Sequence, residues 1–84
     1  MAQAIYKFQF IWHYNPFCWR TVLAFSRSEA LSTLISLLGE GGNWHDGGVW
    51  EVLPLQIANN SVSFDFVSDA VRDYLTGISA EQLK

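Results

Sequence analysis

Between Tyr6 and Tyr14 every second residue carries an aromatic ring: Tyr6, Phe8, Phe10, Trp12 and Tyr14. Alternate side chains of a strand share one face. The rings therefore predict a strand with one core-facing aromatic side, while Ile5, Lys7, Gln9, Ile11 and His13 form a half-polar row that water tolerates better. Asn15-Pro16 is a turn signal, because proline fixes one backbone angle and asparagine caps the bend. A hairpin is expected around it, pairing His13 with Cys18, Trp12 with Trp19, Phe10 with Thr21, Phe8 with Leu23 and Tyr6 with Phe25. This register makes the inner face apolar and leaves Ile11–Arg20, Gln9–Val22 and Lys7–Ala24 pairs outside.

Ser26-Arg27-Ser28-Glu29 has the spacing of a capping box. It opens a helix whose Leu31, Leu34, Ile35 and Leu38 recur at three- and four-residue steps, and Gly39 supplies a left-handed stop. The opposite face, Glu29, Ser32, Thr33 and Ser36, carries little charge, which suits docking as well as ordinary surface. Gly39 to Gly48 reads as a glycine-rich loop, with Trp44 as an anchor for a partner if its ring is exposed and as core if it folds back. Val49–Ile57 and Ser61–Val67 read as a second hairpin around Asn59-Asn60, with Leu55 opposite Phe64. Pro54 lacks a ladder donor and places its strand at an edge. A second helix opens at Ser68, buries Ala70, Val71, Tyr74 and Leu75, and stops at Gly77, with fraying beyond Ala80.

The expected architecture is α+β: a ββαββα two-layer sandwich spanning residues 1–84 as one domain, with a four-stranded antiparallel sheet and two helices on one face. With the Pro54 strand at an edge, the strand order is expected to be 2-1-4-3. The other open edge is then Cys18 to Phe25, guarded by Arg20 alone. Trp19, Arg20 and Val22 become candidates for pairing with a partner's strand or a second copy.

Composition supports such a core. Half of the 84 residues are hydrophobic, with four Trp, three Tyr and six Phe, so neither metal nor disulfide is required for folding. Cys18 is the only cysteine, and no signal peptide precedes it, so a reducing cytoplasm is the expected setting. The apolar N-terminal run is far short of the roughly 20 residues of a membrane helix. A net charge of -3 argues against gripping a phosphate backbone. Lys7, Arg20 and Arg27 are the only charged residues before Glu29, whereas the remainder is dominated by carboxylates. A partner with a basic surface fits that larger acidic part.

No catalytic set emerges from the residues. His13 beside Cys18 would be a thiol–imidazole pair without an orienting group or a cleft. His45 and Asp46 with Glu40 or His13 lack the fixed spacing of a zinc site, and the glycine loop lacks the lysine and spacing of a phosphate cradle. No cofactor or metal is expected. Asp69 and Asp73 share a helix face, which Asp65 extends if the helix starts early, and this stripe can meet Lys or Arg on a partner or simply be solvated. Single-stranded nucleic acid stacks on exposed aromatics, but here the aromatic face is needed as core.

In size, acidic charge balance and layout, the chain resembles the small single-domain proteins of phages and mobile elements, including anti-CRISPR inhibitors. The lack of a catalytic set, Trp44 in a loop and the low-charge or acidic faces predict a non-enzymatic protein-binding module, and the resemblance implies that it acts in the host cytoplasm. The resemblance further implies that it blocks a basic DNA- or guide-RNA-binding surface of a host nucleoprotein complex, with Glu40, Asp46, Asp69 and Asp73 as candidate contacts beside the loop anchor Trp44. A homodimer joined through strand 18–25 is the alternative, and a small Cys/His enzyme or a single-stranded nucleic-acid binder the third.

Overall fold

The computed structural model describes residues 4–39 and 43–82, with side chains described up to residue 77. The elements are β1 (Ile5–Trp12), β2 (Asn15–Ala24), α1 (Arg27–Leu38), β3 (Trp44–Val52), α2 (Pro54–Ala58), β4 (Phe66–Val67) and α3 (Asp69–Gln82). The α+β class and the order of the main elements agree with the sequence. The sheet has the order β3-β1-β2-β4, not 2-1-4-3, and it is mixed: β4 pairs parallel to β2, at Val22–Phe66 and Leu23–Val67.

The first hairpin forms in a different register. Tyr6 lies opposite Ala24, Phe8 opposite Val22 and Phe10 opposite Arg20, so Val22 is on the aromatic face and Leu23 on the other. The reversal falls at His13–Tyr14 rather than Asn15-Pro16, and the ladder shifts between Ile11 and Trp12, which pair with Trp19 and Asn15. Pro16, Phe17 and Cys18 bulge out between those pairs. A bulge spares proline the ladder donor it lacks.

This register separates two cores. On one face Phe8, Phe10, Val22 and Ala24 pack with Ala30 and Leu34 of α1 and with Trp44 of β3. On the other, Ile5, Leu23 and Val52 pack with Val71 of α3, flanked by Ile57, Val62, Tyr74 and Leu75. Neighbouring strand residues point to opposite sides. The two helices thus cover opposite faces of the sheet, rather than sharing one. The half-polar side of β1 is covered at its Ile5 end and open at its Ile11 end.

Local signals place α1 as expected. Glu29 N–H donates to Ser26 Oγ at 3.3 Å, and Gly39 ends the helix at φ 67 with its N–H on Ile35 O at 2.6 Å. Ser68 caps α3, accepting from Val71 N–H at 3.2 Å, but α3 continues past Gly77 to Gln82. The expected second hairpin does not form. Its first half splits into the end of β3 and α2, because Pro54 takes the first helical turn, where its missing N–H costs nothing. Asn60 does adopt the left-handed conformation, φ 61, but in the turn that leaves α2. The Leu55–Phe64 pairing is absent, and both side chains are exposed.

Candidate tryptophan face and hairpin end

The open part of the sheet is built from Gln9 and Ile11 of β1, Trp19 of β2, and Gly47, Gly48 and Trp50 of β3. Trp19 Nε1 donates to Pro16 O at 2.9 Å, which turns the indole across the sheet. A Cβ placed on Gly47 would lie 2.9 Å from Trp19 Cζ3 and 3.2 Å from Ile11 Cγ1, so the ring crosses β1 and reaches β3 only because residue 47 has no side chain. Gly48, at φ 146, does the same for Trp50, whose Cη2 would stand 2.7 Å from a Cβ there. Glycine is read from composition as loop, yet here two glycines inside a strand clear the floor beneath two indoles.

Trp19 remains 43% exposed and Trp50 49%. Lys7 Nζ lies 6.0 Å from the Trp50 ring centroid, at the edge of cation–π range. A shallow groove of about 420 Å³ continues from Trp50 past Lys7 and Gln9 to Gln56, Ser61 and Val62. At the hairpin end Tyr14 is 70% and Phe17 90% exposed. Tyr14 is anchored on one side by the Trp12 ring, 5.3 Å between centroids, so it belongs to the end of the hairpin rather than to the core. Tyr14, Trp19 and Trp50, each with one wet face and one packed face, lose little conformational freedom on binding.

The residues singled out from the sequence are placed apart. Trp44, 7% exposed, packs against Trp12 at 5.0 Å between centroids and is core rather than an anchor. Its indole Nε1 has no hydrogen-bond partner among the described residues. Asp46 is exposed but accepts two 2.9 Å hydrogen bonds from Arg27 Nε. Asp69 lies 3.4 Å from Arg72 Nη1, and Asp73 is exposed on the same helix. Glu40 lies outside the described residues. Asp65 joins no stripe: its carboxylate accepts from Thr21 N–H at 2.8 Å and its own N–H donates to Thr21 O at 2.9 Å, which fastens β4 to β2.

The proposed pairing edge is also reduced. Val22 is buried and laddered to Phe66, and the open stretch of β2 is Asn15–Arg20. Within it Pro16 O accepts from Trp19 Nε1, and Trp19 O accepts from Arg20 Nη1 at 2.9 Å, so side chains already occupy two edge carbonyls. Such blocking disfavours a further strand. His13 and Cys18 are not cross-strand neighbours: Cys18 packs on the α1-side core, while His13 meets His45. Among the described residues no group of three or more His, Cys, Asp or Glu converges as a metal set, and no helix is long and apolar enough to cross a membrane.

Trp50 and the flat setting of Trp19 were missed from sequence. The available signal was the Gly47-Gly48 pair two residues before a tryptophan, which read as loop composition. No protein-family model matches the chain, and no characterised protein or solved structure matches it significantly.

Proposed function

We propose that this protein is a non-enzymatic binding module that docks on the surface of a larger protein through its tryptophan face and hairpin end. The observation that carries this reading is the set of exposed large rings, Tyr14, Phe17, Trp19 and Trp50, of which Trp19 and Trp50 lie over glycines and Tyr14 rests on Trp12. Exposed aromatics of this kind dominate the energetics of protein interfaces. In the narrower form that the phage-protein resemblance implies, the target is a host nucleic-acid-binding complex and the module acts by steric block. Asp73 would then meet basic residues at the rim, while Asp46 and Asp69 contribute less because Arg27 and Arg72 already pair with them.

The test compares the wild-type chain with a Phe17→Ala/Trp50→Ala double variant in affinity purification from host lysate, after equal thermal midpoints have been confirmed. Wild type is expected to retain one protein or complex in stoichiometric amount, with affinity falling by about a thousandfold in the variant, as loss of two hot-spot rings of roughly 2 kcal/mol each implies. Equal recovery by both proteins, or no stoichiometric partner, overturns the reading. For the narrower form, the purified partner must lose nucleic-acid binding when the wild-type module is added.

A further inference from the structure

The hairpin end also brings together two imidazoles that the docking surface does not use. His13 Nδ1 and His45 Nε2 are 2.6 Å apart, their ring centroids 4.8 Å apart, and both side chains are exposed. The sheet holds their backbones in place. His13 N–H donates to Asn43 O at 2.8 Å, His45 is laddered to Ile11, and buried Trp44 between them is laddered to Trp12. Tyr14 stands edge-on to the His13 ring at 5.0 Å, which restricts its swing. Residues 32 positions apart in sequence are thus preorganised as a pair of nitrogen donors.

We propose that His13 and His45 chelate one divalent transition-metal ion of the imidazole-preferring class, Cu²⁺, Ni²⁺ or Zn²⁺, through His13 Nδ1 and His45 Nε2. Two imidazole nitrogens at about 2.0 to 2.1 Å from a tetrahedral ion stand roughly 3.3 Å apart. Small rotations of two exposed rings open the present contact to that spacing. In the metal-free pair one imidazole donates its N–H to the lone pair of the other. On binding, that donor moves its proton to its second ring nitrogen, so both facing nitrogens offer lone pairs and no net proton is released. Asp46 follows His45 but is turned to Arg27, so water completes the coordination and the site is an open two-ligand one. Oxygen-preferring Mg²⁺ and Ca²⁺ are not taken.

The full chain is titrated calorimetrically with CuCl₂, NiCl₂, ZnCl₂ and MgCl₂, and the histidine rings are followed by NMR. One equivalent is expected to bind, copper most tightly and magnesium not at all. His13→Gln and His45→Gln should each weaken binding at least about tenfold, while Cys18→Ser should leave it unchanged. Saturating Zn²⁺ should raise the thermal midpoint of wild type but not of either histidine variant. Both variants alter exposed side chains, and their metal-free midpoints verify that they fold. Absence of binding, equal affinity in either histidine variant, or loss of binding in Cys18→Ser overturns the proposal.

Discussion

Glu29 does more than its place in a capping box requires. Its Oε2 accepts from Phe25 N–H at 2.6 Å and its Oε1 accepts from the Ser68 hydroxyl at 3.1 Å. Ser68 is buried and also caps α3, so one carboxylate couples the starts of two helices that cover opposite faces. Glu29→Ala leaves an amide and a buried hydroxyl without this partner, and should lower stability by about 1 to 3 kcal/mol. Glu29→Gln, which retains one acceptor oxygen, should cost less. Urea unfolding checks both, and an unchanged midpoint in Glu29→Ala would remove the bridge from the account. The Ser26–Glu29 half of this arrangement was legible because it lies within one turn. The link to Ser68, 39 residues away, has no local pattern to reveal it.

At the scale of elements, the sheet faces behave as two separate packing problems. Leu34 sits wholly buried in the cluster beneath α1, and Val71 wholly buried in the cluster beneath α3. Leu34→Ala should cost about 2 to 5 kcal/mol. Val71→Ala, which deletes less volume, should cost about 1 to 3 kcal/mol. Because neither side chain touches the other's cluster, the double variant should be additive within about 0.5 kcal/mol. Chemical denaturation of the three variants measures this, and a coupling above 1 kcal/mol would mean one continuous core. The periodicity of β1, the span of α1 and the start of α3 could be read from sequence because each pattern is local. The second face could not, since Leu53, Leu55 and Ile57 alternate like a strand, and only the position of Pro54 at a helix start reverses that reading. The hairpin slipped by one for a similar reason: Leu23 is equally apolar on either side, and its burial against Val71 selects the side.

The whole molecule is long for its size, with extents of 47 × 21 × 20 Å and a Cα radius of gyration of 13.3 Å. A compact chain of this length is expected near 12 Å. Solution X-ray scattering should return a radius above 13 Å with the mass of one 9.5 kDa chain at every concentration. A mass that doubles with concentration would favour self-association over docking on another protein. The acidic balance was legible as a property of the entire chain, but not where it would matter, because Arg27 and Arg72 each neutralise a carboxylate that composition counts as free.

The parallel strand β4 ties the end of this fold to its beginning. Thr21 waits for Asp65, 44 residues later, and Leu23 stays uncovered until α3 follows. During synthesis, therefore, the first three strands and α1 emerge with one side finished and the other still greasy. A chain released early by a premature stop after β3 would carry Ile5, Leu23 and Val52 bare, and would be prey for chaperones and proteases.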